Sequence, residues 1–467
     1  MIKMSAEEIA NVVDGALSGS ADISETAEFH FDSRQISSGD VFLALVGDNA
    51  DGHEFVSDAL KNGAALSIVT KRVAGPHIVV KDVLAAIAAL ATYVRSQLTN
   101  LKVIGITGSQ GKTTTKDMLN TVLQTAGPTI AARGSFNNDL GVPLTVLRSN
   151  PQTRFCVVEM GARHGGDILA LTKIAIPDVG AVLKVGNAHL GEFGSREKIA
   201  ETKGELIAGL NPGAFAVLGT YDEFTPRMEF APGVKKITFG EKHDCDVRAA
   251  DIEFRSGYAH FDLVTPEGRE PVALRVLGLH QIPNALAAAA ISYALGLNTA
   301  AIAAALSMHE SASKWRMEIH EGGGLLLIND SYNANPESME AALRTLALLA
   351  QERGGRSWAF LGTMHELGEQ SAHMHQEVGE LVERLGIDHI VAIGNQNYLQ
   401  GLNGLSTVKH YFEKVEEAKD LITAFEPGDV VLVKASRAEH FEELASAVVS
   451  KISDLTSQEI ENEGEIK

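Results

Sequence analysis

Apolar residues fall along this chain in two rhythms, short Val/Ile/Leu-rich runs and longer stretches in which they recur every three or four positions. Short runs bounded by Gly, Asp and Ser predict strands, and the longer periodic stretches predict helices. Runs at 40–46, 66–70 and 77–80 predict a small α/β module, followed by a helix over 83–98. Val103-Ile104-Gly105-Ile106-Thr107 predicts a buried strand that turns at once into a helix over 112–126. That helix carries Met118, Leu119, Val122 and Leu123 on one face and stops at Gly127-Pro128. Further strands at 155–158, 180–185 and 214–218, with a helical pattern over 195–207, predict a mostly parallel sheet. Beyond an alanine-rich helical stretch, strands at 325–328, 358–361, 389–393 and 430–434 alternate with helices, as in a doubly wound domain. The expected division is 1–82, 83–313 and 314–467, with a polar, frayed end from Thr456 and no internal repeat.

Composition sharpens this picture. A chain of 467 residues, 45% of them hydrophobic, exceeds one core and supplies two to four, and 44 glycines with few aromatics favour the α/β class. Forty basic against 60 acidic residues give a formal charge of −20, which argues against a general nucleic-acid or anionic-membrane surface. Anionic small molecules would need a local basic cleft. The two cysteines, Cys156 and Cys245, support neither a disulfide framework nor a cysteine zinc site, and fit a reducing cytosol. The segment Met1 to Ala10 carries Lys3, Glu7 and Glu8 and lacks the apolar core of a secretion signal. The longest apolar stretches, 83–94 and 285–297, fall short of the roughly 20 residues a bilayer span needs, so no membrane insertion is expected.

The candidate chemistry begins at Gly108-Ser109-Gln110-Gly111-Lys112-Thr113, between the buried strand and the helix start. Glycines let backbone N–H groups curl around phosphate oxygens, and the helix N-terminus adds positive potential. Lys112 has the reach for the β- and γ-phosphates, and Thr113 carries a hydroxyl suited to Mg²⁺. The spacing departs from the general phosphate loop, because Ile106 stands where its first glycine belongs.

With Thr107 to Thr114 in place, the chain resembles the Mur ligases, whose phosphate loop has this variant spacing. The resemblance extends in family order through Asn137-Asn138-Asp139-Leu140-Gly141, Glu159-Met160-Gly161, Asn187-Ala188-His189-Leu190 and Glu201-Thr202-Lys203-Gly204. It continues through His280-Gln281-Ile282-Pro283-Asn284, Asn329 to Pro336, and Lys434-Ala435-Ser436-Arg437. The run Asp330 to Pro336, with Asp32-Ser33-Arg34 and Asp51-Gly52-His53, is most similar to the member that adds D-alanyl-D-alanine. Two positions depart from the family's commoner pattern, Ala435 in place of glycine and Met364-His365 in place of an acidic-containing pair.

The resemblance implies a three-domain architecture, with a central phosphate-loop domain and a Rossmann-like C-terminal domain. It implies ATP-dependent joining of D-Ala-D-Ala to UDP-N-acetylmuramoyl-tripeptide through an acyl phosphate, in peptidoglycan synthesis, by a cytoplasmic monomer with no nucleic-acid partner. It makes Thr107, Gly108, Ser109, Gln110, Gly111, Lys112, Thr113, Thr114, Asn284, Arg316 and Asp330 the ATP contacts. Thr113, Glu159, His189 and Lys203 become the Mg²⁺ ligands, Lys203 after carbamylation, and Lys112, Glu159, His189 and Lys203 the catalytic set. Ser33, Arg34, Gly52 and His53 would hold the uridine diphosphate. Asn137, Asn138 and Asp139 would face substrate, and Ser331, Asn333, Asn335 and Arg437 the dipeptide. Because ATP and two substrates fall to different domains, domain closure is expected.

On position alone each of these residues has a plainer reading. Glu159 and Asn284 could be caps, His189 a packed side chain, Lys203 and Arg316 solvated charges, and the Asn-Asp clusters turns. Two other functions also fit the phosphate loop, a related Mur or folylpolyglutamate-type amino-acid ligase and a catalytically silent nucleotide-binding regulator.

Overall fold

The computed structural model describes residues 1–47, 50–187, 190–310, 314–404 and 406–465, without the side chains of 190–191 and 459–465. Three sheets follow one another along the chain. The first contains β1 (Ala16–Ser18), β2 (Phe29–His30), β3 (Val41–Leu43), β4 (Leu66–Val69) and β5 (His77–Val79), in the order β1-β5-β4-β3-β2. Only β1 runs antiparallel. β3 and β4 are buried throughout, which is why their sequences are apolar at every or nearly every position.

The second sheet holds β6 (Lys102–Thr107), β7 (Thr129–Ala131), β8 (Phe155–Glu159), β9 (Val179–Val182) and β10 (Phe215–Gly219). It continues with β11 (Lys235–Gly240), β12 (Val247–Arg255), β13 (Tyr258–Thr265) and β14 (Gly268–Leu277), and its order is β14-β13-β12-β11-β10-β9-β6-β8-β7. Strands β6 to β11 are parallel, as the apolar runs predict. The meander β12–β14 is antiparallel and was not anticipated. Its strand β13 alternates buried and half-buried residues, the signature of a sheet covered on one face. β6 lies between β9 and β8, and the strand order reverses there, so a crevice opens at the carboxyl ends of these strands.

The third sheet contains β15 (Glu318–Gly322), β16 (Leu325–Asp330), β17 (Ser357–Leu361), β18 (His389–Ile393), β19 (Val408–Phe412) and β20 (Val430–Lys434). Its order is β15-β16-β20-β17-β18-β19, parallel except for the edge strand β15. Separate apolar cores fill its two faces.

One helix ties the first two sheets together, and another backs the helix that follows the phosphate loop. In Val83–Gln97 the Asp82 carboxylate accepts the Ala85 N–H at 2.8 Å, and Val83, Ala86, Ile87, Leu90, Ala91 and Val94 are buried. Their stripe belongs to one core that runs from the first sheet into the second. Gln281–Ala294 packs against the helix Lys112–Gln124, and its run of small alanines brings the two backbones close. Among the described residues no helix is long and apolar enough to cross a membrane.

Candidate active site

At the end of β6 the chain turns through Gly108 to Gly111 into the helix Lys112–Gln124. Gly111 caps that helix in the left-handed region at φ +78°, and a Cβ there would lie 2.2 Å from the Asn284 Oδ1. Both facts require glycine. The Ser109 hydroxyl accepts the Gly186 N–H at 2.8 Å, and the Ser109 N–H donates to the Lys184 carbonyl at 2.8 Å. The loop is thereby braced on the segment after β9. Lys112 is half-buried and donates to the Gly108 carbonyl at 2.7 Å, and burial lowers its pKa against the pull of Glu159.

Glu159 ends β8 with 1% exposure, because the apolar run before it places it at the floor of the crevice. Its carboxylate accepts the Thr113 hydroxyl at 3.0 Å and the Asn137 amide at 2.9 Å. A buried carboxylate against a phosphate-loop hydroxyl is a donor set suited to a hard divalent cation that also takes phosphate oxygens. Among the described residues no group of three or more His, Cys, Asp or Glu is arranged to hold a metal unaided. The candidate ligand His189 lies outside the described residues.

Lys203 lies on the helix Arg196–Ala208 and is 5% exposed, not solvated as a helical lysine usually is. Burial, reinforced by the charge of Lys112, lowers its pKa to about 7. It stands beside the phosphate loop but does not line the cavity.

A cavity of about 680 Å³ opens over the phosphate loop, between the second and third sheets. It brings together Ser109, Gln110, Gly111, Lys112, Thr113, Thr114, Asn137, Glu159, Asn284, Arg316, Asp330, Asn333 and Asn335. Asn284 is held by Gln281 at 2.9 Å, and Arg316 stacks on Tyr332 with its guanidinium carbon 4.0 Å from the ring centroid. Asp330 ends β16 and pairs with Lys434, which ends β20, at 2.5 Å. The third sheet reaches the loop directly, since the Gln110 amide donates to Asn335 at 3.0 Å and the Asn187 N–H donates to Glu337 at 2.8 Å. His280 lines the same cavity, and burial, opposed by Asp330, lowers its pKa to about 4.

Other candidates lie elsewhere. Thr107 is fully buried in β6, and Gly108 contributes its carbonyl to Lys112. Asn138 accepts the Gly141 N–H at 3.0 Å, an Asx turn before a helix, and Asp139 beside it is exposed. Ser331, expected at the dipeptide, is fully buried, and its hydroxyl donates to Asn329 at 2.7 Å. Its side chain points into the fold because it continues the inward face of β16. Arg437 lies outside the cavity, paired with Glu442 at 2.6 Å and stacked on Trp315.

The N-terminal candidates form a separate cluster around the first sheet. Arg34 makes a forked pair with Asp32, which lowers the Asp32 pKa to about 2, and it is exposed to solvent, while the Ser33 carbonyl accepts from Asn62. Gly52 lies so close to Leu45 that a Cβ would meet its carbonyl at 2.5 Å. The His53 ring is buried, with Nδ1 2.5 Å from Asp51 and Nε2 accepting the Thr70 N–H at 3.0 Å. Both nitrogens are thus engaged within the fold, so His53 braces this loop.

Sequence reasoning missed Lys434, Tyr332, Gln281 and Glu337 as cavity residues, although all four lie in or beside runs it singled out. For Lys434 a signal was available, because it ends an apolar strand just as Glu159 does.

Comparison with known proteins agrees with this geometry. Residues 28–96 match the Mur ligase family catalytic domain, 106–292 the Mur ligase middle domain, and 315–437 the Mur ligase glutamate ligase domain. The UDP-N-acetylmuramoyl-tripeptide--D-alanyl-D-alanine ligase of Mycobacterium tuberculosis H37Rv is 38% identical over 96% of this chain and 98% of its own. The Escherichia coli K12 enzyme of that name is 34% identical over 96% and 99%. The crystal structure of MurF from Acinetobacter baumannii superposes with a TM-score of 0.86 at 36% identity, covering 96% of this chain and 98% of its own. The MurF ligase of Thermotoga maritima in complex with ADP gives 0.79 at 31% identity, over 92% and 98%. A folylpolyglutamate synthase from T. maritima, at 16% identity and a TM-score of 0.56, shares the fold alone. Carrying the variant phosphate loop, the buried Glu159 and end-to-end likeness to these relatives, the chain belongs to the Mur ligase family.

Proposed function

We propose that this chain is an ATP-dependent amide ligase that joins D-alanyl-D-alanine to UDP-N-acetylmuramoyl-tripeptide, completing the UDP-linked pentapeptide of peptidoglycan synthesis. The observation that carries the reading is the chain Thr113–Glu159–Asn137, fixed at the floor of a cavity that the second and third sheets enclose together. Such a cavity serves a reaction in which nucleotide and acceptor arrive from different domains. We divide the chain accordingly into a UDP-substrate domain (1–82), an ATP domain (83–313) and a ligase domain (314–467), working as a cytoplasmic monomer.

A carboxylate is a poor acyl donor, so the tripeptide's terminal carboxylate first attacks the γ-phosphorus of ATP, releasing ADP and leaving an acyl phosphate. The dipeptide amine then attacks the acyl carbon, and inorganic phosphate departs with the C–O bond. The backbone of Gly108 to Gly111, with Lys112, offsets the charge of the transferring phosphoryl group. Asn284 faces the base and Arg316 the phosphates, with Asp330 near ATP in the same cavity. Thr113 and Glu159, with His189 and a carbamylated Lys203, would hold Mg²⁺, which would supply the charge screening that lets two anions approach. Lys203 suits that modification because its neutral amine, favoured by burial, can add to CO₂ with loss of one proton. Ser33 and Arg34 take the uridine diphosphate on a loop shaped by Gly52 and His53. Asn137 steers Glu159, with Asn138 and Asp139 shaping its turn. Asn333, Asn335 and Arg437 flank the dipeptide, and Ser331 holds their segment from within.

The test is phosphate release from Mg-ATP with the UDP-linked tripeptide, carrying diaminopimelate or lysine, and D-Ala-D-Ala, followed by mass spectrometry. Release that depends on both substrates and yields the pentapeptide is expected. Release without the dipeptide, or no pentapeptide, would refute the reading.

A further inference from the structure

We propose that Lys116 is a positioning residue of this reaction, holding segment 131–137 so that Asn137 meets Glu159; the inference rests on the ligase reading above. Lys116 lies one helical turn beyond Lys112 in Lys112–Gln124, and its side chain is 3% exposed. Lysine is rarely buried so fully unless every donor is matched. Here the Nζ donates to the Ala132 carbonyl at 3.0 Å and the Gly134 carbonyl at 2.9 Å, and lies 3.1 Å from Asp117 Oδ1. It does not line the nucleotide cavity but a smaller one of about 460 Å³ beside it, shared with Thr113, Gly134 and Ser135, and its hydrogen bonds go to the loop it grips.

That loop is where the three sheets communicate. From the first, Glu28 pairs with Arg133 at 2.8 Å. Within the second, Arg148 donates to the Ala131 carbonyl at 2.9 Å, and the Gly161 N–H donates to the Asn137 carbonyl at 2.8 Å. From the third, the Tyr332 hydroxyl bonds to that of Ser135. The segment ends at Asn137, whose amide donates to Glu159 at 2.9 Å. Gly134, at φ +53°, gives the turn that brings two carbonyls onto one ammonium. Lys116 is the buried anchor of the segment, and the outer contacts set its posture according to where the flanking domains lie. Asn137 therefore reads the arrangement of the whole molecule and passes it to the carboxylate that faces Thr113.

The experiment compares wild type, Lys116→Met, Lys116→Arg and Ser135→Ala in the full chain, by ligase kinetics and by hydrogen exchange of backbone amides. For Lys116→Met, kcat falls by about 10- to 100-fold, as for loss of an outer partner of a metal site, while the KM for ATP stays within about twofold. Amide exchange in 132–137 speeds up by about tenfold or more, while β6 and β8 keep their protection. Lys116→Arg recovers part of kcat, and Ser135→Ala shifts kcat and exchange in the same sense by a smaller factor. Wild-type kcat and exchange in Lys116→Met would overturn the proposal. So would loss of protection spread evenly over β6 and β8 together with a wild-type Ser135→Ala, because Lys116 would then only support packing. Should wild type itself make no pentapeptide, the ligase reading fails, whereas the exchange data still report the hold on 131–137.

Discussion

Removing Lys434 tests whether the third sheet is built around a buried ion pair or merely contains one. Asp330 and Lys434 are register partners on the neighbouring strands β16 and β20, at their carboxyl ends. The lysine side chain is 1% exposed and the carboxylate 14%, with Nζ and Oδ2 2.5 Å apart. Lys434→Met keeps the length of the side chain but leaves the Asp330 carboxylate, among the described residues, with the Met317 N–H at 3.2 Å as its hydrogen-bond donor. It also strips a donor from the Asn333 carbonyl, which Lys434 meets at 2.9 Å. Taking one partner from a buried pair costs about 3–5 kcal/mol, and the residual exposure of Asp330 places this case near 3. Asp330→Asn, which leaves the ammonium an amide oxygen, costs about 2 kcal/mol. The double variant has no stranded charge, so its cost should fall about 2–3 kcal/mol short of the sum. Urea unfolding followed by tryptophan fluorescence measures this directly, because the two tryptophans of the chain, Trp315 and Trp358, both lie in 314–467. Costs that add to within about 0.5 kcal/mol would show that the two groups do not interact, and the reasoning would be refuted.

Gly111→Ala puts a methyl 2.2 Å from Asn284 Oδ1 in a left-handed backbone, a strain of roughly 1–2 kcal/mol before Asn284 moves, so Mg-ATP binding should weaken by about tenfold. Calorimetry giving a wild-type Kd would contradict this. Depleting CO₂ near neutral pH should lower turnover and bicarbonate should restore it, whereas Lys203→Met should respond to neither; a wild type indifferent to both would count against carbamylation. Burial lowers the His280 pKa from 6.5 to about 4, so between those values the unfolded chain binds a proton that the native one refuses. The contribution of His280 to stability is therefore complete above pH 6.5 and lost as pH falls towards 4, and thermal melts of His280→Gln should fall less over that interval than those of wild type.

The parts that were legible in the sequence are those where local chemistry and fold demand the same residues. Apolar runs ending in a functional side chain place Glu159 at the tip of β8, and the glycines beside Lys112 mark the loop, because backbone geometry there admits little else. The meander β12–β14 escaped notice since its strands carry Arg, Asp and Glu on the open face and so resemble loop or helix surface. β1 and β2, two or three residues long, are too short to show a period. Ser331 came with the motif that carries the resemblance, yet its side chain is turned inwards, where its hydroxyl donates to Asn329. Lys116 and Glu337 were invisible for a different reason, since their partners Ala132, Gly134 and Asn187 are backbone groups that no residue type announces.

The chemistry of the contacts between layers also divides their labour. The first and second sheets share one unbroken apolar core through Val83–Gln97, and separating them would expose Ile87, Leu90 and Val94 to water. The third sheet meets the second differently. At the back, Leu277 joins the core around Leu349, with Gly257 close against the same leucine. At the mouth the contacts are polar, Gln110 to Asn335, Asn187 to Glu337 and Ser135 to Tyr332. Water can replace polar contacts at little net cost, whereas an apolar one resists opening. A body held by an apolar patch on one side and by exchangeable hydrogen bonds on the other is expected to swing about the patch. We therefore predict that closure over the nucleotide falls to the third sheet, with its completing hydrogen bonds from the phosphate loop and the segment that carries Asn137; small-angle scattering that shows no compaction with an ATP analogue and both substrates would refute this.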